Sequence, residues 1–135
     1  RLMMLSSAPE QADHLMRYHR RRHNHAVKEM IGLSHAAAAW PEFADAPRWR
    51  AYALDVLMGE LDHQFYPDGV QKELAAHYHH SVMTYFLQYV EFMRAAGFQP
   101  PALFEARIEA MGDYLVGAVR PDGYLPHNND SDLDD

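Results

Sequence analysis

The sequence predicts an all-α fold of stacked αα-hairpins, and three observations indicate it. Apolar residues recur at helical spacing along most of the chain, and no strand-like alternation persists. Turns marked by proline and glycine divide the chain into helix-sized segments. Two kinds of turn signal recur at one offset, which is typical of stacked helical pairs.

The first three helices are placed by their start and stop signals. The first runs from Pro9 to about Arg22, and the second runs from about His25 to Trp40. The second ends before Pro41, because proline disfavours helical geometry in the residue that precedes it. The third helix is capped by Asp45 or Ala46 and reaches about Phe65. Pro47 lies in its first turn, where the missing N–H of proline has little effect.

The last two helices follow a strong turn signal, Pro67-Asp68-Gly69. The fourth helix covers about Leu74 to Ala95 and is stopped by Gly97. The fifth begins at Pro101 and ends before Pro121, and the chain from Tyr124 onward is expected to be irregular.

An internal repeat of 54 residues relates these turns. Pro67-Asp68-Gly69 recurs as Pro121-Asp122-Gly123, and Pro47 recurs as Pro101. The same shift maps His23-Asn24-His25 onto His77-Tyr78-His79. Equivalent helix ends lie on one rim of a stacked or circular helical array. We therefore expect Asn24 and Tyr78 to approach each other.

Composition restricts the class of protein. The chain has 135 residues, 48% of them hydrophobic and 23% charged, which suits one globular domain or part of one. It has no cysteine, which excludes disulfides, thiolate nucleophiles and cysteine-ligated metal sites. A net charge of −7 argues against a general nucleic-acid binder, and no apolar run is long enough to span a bilayer.

A local basic cluster contrasts with this acidic total. Arg17, Arg20, Arg21 and Arg22 lie near the start, beside His19, His23 and His25. Such a patch can hold an anionic ligand because the local field decides binding at a site. The alternative interpretation, a solvated arginine-rich helix end, stays open at this stage.

The residues on the predicted rim suit one reaction, β-elimination on a uronic-acid sugar. The proton on C5 is hard to remove until the neighbouring carboxylate is neutralised. An asparagine or a protonated histidine can supply that hydrogen bond and stabilise the enolate-like transition state. A tyrosine or histidine can remove the proton, and a tyrosine can protonate the leaving oxygen on C4.

Several stretches resemble the helical domain of the heparinase II/III-like polysaccharide lyases, and together they cover roughly residues 23–132. The most specific are His23-Asn24-His25-Ala26-Val27 and Ala76-His77-Tyr78-His79. The others, persuasive through their order, are Trp40-Pro41-Glu42-Phe43, Arg48-Trp49-Arg50, the two Pro-Asp-Gly turns, and Asn129-Asp130-Ser131-Asp132.

The resemblance implies a toroid of paired helices, followed in full-length members by an antiparallel β-sandwich domain. It implies that Asn24 neutralises the substrate carboxylate, that His25 assists or acts as base, and that Tyr78 acts as general acid and base. We further predict substrate contacts for Arg22, His23 and His79. The expected partners are an acidic, uronic-acid-containing polysaccharide of the glycosaminoglycan kind and the β-sandwich domain of the same polypeptide.

The resemblance also implies a periplasmic or secreted location. It implies no cofactor in this segment, since the metal ion of relatives belongs to the β domain.

The sequence departs from the family in two respects. Members often have Ser-Pro shortly before the tyrosine, where this chain has Ala76-His77. No β-sandwich follows, and about two and a half helical pairs are too few to close a toroid. We interpret residues 1–125 as a fragment of an incomplete (α/α) toroid and residues 126–135 as an acidic linker toward the missing domain. The resemblance therefore does not imply that this segment is active by itself.

Two alternatives stay open. His23, His25, His77, His79 and His80 could bind zinc or nickel, although His23 and His25, like His77 and His79, stand two residues apart, whereas ligands on a helix usually stand three or four apart. Glu29 is a carboxylate at that spacing, four residues after His25. A non-catalytic helical-repeat scaffold is the other alternative. The aromatic residues at packing positions are expected in the core and not on a sugar platform. They are Trp40, Phe43, Trp49, Tyr85, Phe86, Tyr89 and Phe92.

Overall fold

A computed structural model describes residues 2–131 as five helices joined by short loops. The helices are α1 (Leu2–Tyr18), α2 (His23–Ala39), α3 (Ala46–Gln64), α4 (Ala76–Ala95) and α5 (Ala102–Ala118). Extended pairing within these residues is limited to one isolated bridge between Phe65 and Gln71. The predicted all-α class is therefore confirmed. Arg1 and three aspartates of the acidic end, Asp132, Asp134 and Asp135, lie outside the described residues.

Helices α2 to α5 match the predicted segments to within two residues at most ends, but the prediction for α1 is wrong at both ends. Pro9 lies inside α1 and does not begin it. The helix also ends at Tyr18, four residues before the predicted Arg22. The last helical amide is that of His19, which donates to the Leu15 carbonyl; the next, that of Arg20, donates to Glu29 Oε2 of α2 at 2.7 Å. A tertiary hydrogen bond thus ends the helix and directs the chain toward α2.

Consecutive helices pack as hairpins, as short loops between helices require. The contact between α2 and α3 is the most extensive, α4 pairs with α5, and α2 packs against α4 to join the two hairpins. Helix α1 covers one side of α2 and α3. No helix within residues 2–131 combines the length and the apolar character that crossing a membrane would need.

The two Pro-Asp-Gly turns are the same structure, which confirms the internal repeat. In the first turn, the amides of Tyr66 and Gly69 bond to the carbonyls of Val70 and Tyr66. The second turn has the same two bonds, from Arg120 to Tyr124 and from Gly123 to Arg120. In both, the turn aspartate accepts from the amide two residues later. Gly69 and Gly123 have φ of 87° and 88°, which glycine adopts without strain.

The core lies where α2, α3 and α4 meet. It contains the large buried side chains Trp49, Phe65, Phe86, Tyr89 and Phe104, with Met30, Leu33, Leu57, Leu61 and Met111 between them. Of the aromatic residues expected in the core, three are buried (Trp49, Phe86 and Tyr89), and Phe43, Tyr85 and Phe92 pack half-buried against them. This packing places the amino-terminal ends of α2 and α4 side by side.

Candidate functional site

An open cleft of about 470 Å³ lies between the first turns of α2 and α4. Asn24 and His25 come from α2, and Tyr78 comes from α4. His23, Glu73, Ala75 and Asp130 complete the lining. The helical packing thus brings together the three predicted catalytic residues, with Asn24 and Tyr78 half-buried and His25 exposed. Their predicted catalytic roles stay predictions.

The α2 side of the cleft begins at a strained residue. His23 has a φ of 73°, a left-handed conformation that is uncommon for a residue with a side chain. Its backbone amide donates to Glu60 Oε2 at 3.1 Å, and the side-chain Nε2 of Gln64 donates to the same oxygen at 2.6 Å. Glu60 is only 5% exposed, so a buried carboxylate on α3 fixes the start of α2. Sequence patterns gave no signal for this role of Glu60.

One side-chain hydrogen bond connects the two walls of the cleft. His23 Nδ1 donates to Glu73 Oε1 at 3.0 Å across 50 residues of sequence. Glu73 lies in the loop that leads into α4. Beyond this pair is a second cavity of about 220 Å³, lined by His63, Gln64 and Lys72 together with the same two residues. The pair therefore also forms the boundary between the two spaces.

The α4 side is held by the carboxy-terminal segment. Asn128 accepts from the Ala76 amide at 3.3 Å and donates to the Leu74 carbonyl at 2.6 Å. Asn129 donates to the same carbonyl at 2.8 Å, and Ser131 Oγ accepts from the His77 amide at 3.5 Å. These bonds attach residues 128–131 to the start of α4, and the interpretation of residues 126–135 as an acidic linker stays a prediction. The 54-residue shift, which maps Leu74 onto Asn128, was the signal that could have revealed this contact.

Strain is concentrated around the cleft. Within residues 2–131, the non-glycine residues with positive φ are His23, Leu74 and Asn129. His23 lines the cleft, Leu74 stands between the lining residues Glu73 and Ala75, and Asn129 precedes the lining residue Asp130. Left-handed backbone in such residues persists only where the surrounding structure enforces it, and it clusters at functional sites.

Two helix amino termini give the cleft a positive contribution to its field. The first turns of α2 and α4 contain no acidic residue, so the partial positive charge of each helix dipole is not neutralised within its own first turn. Three carboxylates oppose this contribution: Glu60 accepts from the His23 amide at the start of α2, Glu73 accepts from the His23 imidazole, and Asp130 lines the cleft. Because Glu60 already lies at the amino terminus of α2, the contribution that favours an anionic group comes mainly from α4, whose Ala76 amide bonds to the neutral Asn128 side chain.

His79 does not contribute to the cleft, so its predicted contact with substrate is corrected. It is 1% exposed, donates through Nε2 to the Met111 carbonyl at 3.0 Å, and accepts from the Gln71 amide at 3.3 Å. Burial lowers the pKa of this imidazole, with a smaller lowering from His80 and an opposing effect from the Met111 hydrogen bond. The physical reason is helical periodicity, since residues two apart in a helix face nearly opposite sides.

Arg22 is exposed at the residue before α2, outside the residues that line the cleft. Its predicted contact with substrate stays a prediction.

The histidines do not fit the metal alternative. Within residues 2–131, no three His, Cys, Asp or Glu side chains converge as a metal site requires. His79 is separated from His23 and His25 by its burial, and His23 is paired with Glu73. No step is therefore assigned to a metal ion here. A non-catalytic scaffold would leave Asn24 and Tyr78 dispensable or far apart; both line one cleft, and whether they are dispensable is a question for the substitutions proposed below.

The family model described as "Heparinase II/III N-terminus" matches residues 2–135. A heparin-sulfate lyase of Pedobacter heparinus is 32% identical over 133 residues, covering 97% of this chain and 20% of the relative. A heparin-sulfate lyase of Bacteroides stercoris is 30% identical over 124 residues, covering 90% of this chain and 19% of the relative. This chain therefore spans about a fifth of the length of these relatives.

A solved structure shares the arrangement of helices. The crystal structure of a heparan sulfate lyase mutant from Pedobacter heparinus matches with a TM-score of 0.86 and 31% identity. The match covers 98% of this chain and 21% of that chain. The helical architecture of this cleft is therefore also that of an amino-terminal lyase region.

Proposed function

This chain belongs to the heparinase II/III N-terminus family, and from that membership we propose that it supplies the helical wall of the catalytic cleft in a lyase. The substrate class is an acidic polysaccharide of the heparin and heparan sulfate kind, as the names of the relatives suggest. The observation that carries the proposal is the shared cleft of Asn24 and Tyr78, which come from helices that are distant in sequence.

The proposed reaction breaks the C4–O bond of a uronic acid. The Asn24 side-chain amide donates to the substrate carboxylate, so that negative charge developing on the carboxylate in the transition state is stabilised. His25 or Tyr78 accepts the C5 proton, and the Tyr78 hydroxyl donates a proton to the departing C4 oxygen. The C–H electron pair becomes the C4–C5 double bond, and the products are an unsaturated uronate and a free hydroxyl end.

The positive amino-terminal end of α4 supports the binding of such a substrate. A polyanion places carboxylate and sulfate groups every few ångströms, and a group near a helix amino terminus is favoured. The His23 imidazole donates to Glu73, which reduces the repulsion that this carboxylate exerts on an anion. The β-sandwich partner and the periplasmic or secreted location are parts of the same proposal, and cell fractionation tests the location.

The decisive experiment assays the complete gene product that carries this chain with heparan sulfate, following the ultraviolet absorbance of the unsaturated uronate. We expect Asn24→Ala and Tyr78→Phe each to reduce kcat by about 100-fold or more, since each removes a group that acts in the transition state. Tyr18→Phe is the matched control, because Tyr18 is 70% exposed on α1 and is not among the residues that line the cleft. Unchanged kcat in the two cleft variants contradicts the assignment, and polysaccharide binding without turnover favours the scaffold alternative.

A further inference from the structure

We infer that His23 is a positioning residue for Asn24, acting through its left-handed backbone and not through contact with substrate. The inference rests on the proposed function for its kinetic readout, and it goes beyond that function in assigning a separate role to His23. Asn24 is the next residue along the chain, so the direction in which α2 begins at His23 decides where the Asn24 amide lies.

Two carboxylates hold His23 in this conformation, one through its backbone amide and the other through its imidazole. The backbone amide bonds to Glu60 of α3, and the imidazole bonds to Glu73 of the loop before α4. Glu60 is itself buried and braced by Gln64. Both polar contacts that the structure gives His23 are therefore with carboxylates of the protein itself, one on α3 and one in the loop before α4.

The conformation is uncommon for residues other than glycine, although histidine, like asparagine, adopts it more readily than most. A φ of 73° brings the β-carbon toward the backbone, a clash that only glycine avoids fully and that asparagine tolerates better than most residues. Extended or right-handed backbone at position 23 would rotate the first turn of α2 and carry Asn24 away from Tyr78. A displacement of about 1 Å at a catalytic group reduces rates by about 100-fold.

The pair with Glu73 gives the same residue a second positioning contact. Glu73 is followed by Leu74, which Asn128 and Asn129 hold at a φ of 55°. The His23–Glu73 hydrogen bond, the peptide link from Glu73 to Leu74 and the hydrogen bonds of Asn128 therefore connect the start of α2 with the start of α4. These connections set the spacing between the wall that carries Asn24 and the wall that carries Tyr78.

The test compares substitutions that differ in their tolerance of left-handed backbone. In the complete gene product, we expect His23→Gly and His23→Asn to lose less kcat than His23→Val, because all three remove the imidazole that bonds to Glu73 and only valine also resists positive φ. We expect His23→Val to lose about 10- to 100-fold in kcat with little change in KM. If His23 instead contacts substrate, the glycine and valine variants lose activity equally and KM rises in both, which overturns the inference.

A matched control reverses the order. His80 is exposed at an ordinary helical position of α4, where glycine destabilises a helix and valine is tolerated. We expect His80→Gly to lower the thermal midpoint more than His80→Val. Glycine is thus the more harmful substitution at position 80, whereas valine is the more harmful one at position 23, where the loss is measured in kcat. If His23→Val does not fold, His23→Ala compared with His23→Asn makes the same distinction, and equal losses in that pair also overturn the inference.

A second readout is independent of lyase activity. In the 135-residue chain, the NMR resonances of the Asn24 side-chain amide should stay near the parent positions in His23→Gly and move in His23→Val. Equal movement in both variants contradicts a backbone role. A parent protein that lacks lyase activity but shows the expected NMR pattern refutes the proposed function and leaves the positioning role of His23 supported.

Discussion

Replacing Gly69 with alanine tests how closely the first Pro-Asp-Gly turn packs on α5. The Gly69 backbone has a φ of 87°, and an added β-carbon would lie 2.3 Å from both the carbonyl carbon and the oxygen of Ala110 and 2.7 Å from the Met111 nitrogen. Gly123 provides a matched control in the equivalent turn. Its φ is 88°, and an added β-carbon would have no atom within 4 Å.

The difference between the two variants isolates the packing contribution. Both substitutions force alanine into left-handed backbone, which lowers the free energy of unfolding by about 1 kcal/mol. Only Gly69→Ala adds an overlap with helical backbone, which cannot rotate away as a side chain can. Forced overpacking typically costs a further 1–3 kcal/mol. We therefore expect a loss of about 2–4 kcal/mol for Gly69→Ala and about 1 kcal/mol for Gly123→Ala.

The assay is urea unfolding of the 135-residue chain, followed by far-ultraviolet circular dichroism. The midpoints should fall in the order parent, Gly123→Ala, Gly69→Ala, with unchanged denaturant slopes if only stability differs. Equal losses in the two variants would refute the reasoning, because they would mean that α5 does not contact the first turn. A larger loss at Gly123 would refute it as well.

Two further predictions concern the histidine and the asparagine that support α4. Burial lowers the pKa of His79 in the folded state, so below about pH 6.5 the unfolded chain binds a proton that the folded chain excludes. The free energy of unfolding should accordingly fall as the pH is lowered through that value, and it should fall less steeply in His79→Gln; identical pH profiles would contradict the assignment. Asn128→Ala should destabilise the chain by about 1 kcal/mol, as the loss of a helix cap does. Asn128→Asp should lose at least as much at neutral pH, because it keeps the acceptor for the Ala76 amide but places a carboxylate oxygen against the Leu74 carbonyl in place of the donor; a smaller loss than in Asn128→Ala would show that the bond to Leu74 is unimportant.

Sequence patterns located most of the helices and the site because both depend on local or repeated signals. Pro41 and Pro47 fix the loop between α2 and α3, and the two Pro-Asp-Gly turns fix the offset between the hairpins. That offset alone predicted that Asn24 and Tyr78 would meet, and both line the cleft.

The errors have a common cause in contacts between distant residues. The end of α1 depends on Glu29, which accepts the Arg20 amide that would otherwise continue the helix. His79 was expected on the rim with His77, but the direction of α4 against α5 turns it toward the Met111 carbonyl. The end of α1 has no signal within a few residues of its position, whereas the helical period of α4 already separates His79 from His77.

The sequence by itself determined the helical class, the 54-residue repeat and the residue types available for chemistry. Periodicity, proline and glycine act over one or two helical turns, so a linear pattern is enough to encode them. Only the tertiary structure decided how the cleft is held, through Glu60, Glu73 and Asn128. These side chains bond to backbone and imidazole atoms from 37 to 54 residues away. Such bonds depend on where packing of the hydrophobic core places each helix, and no local pattern records that position.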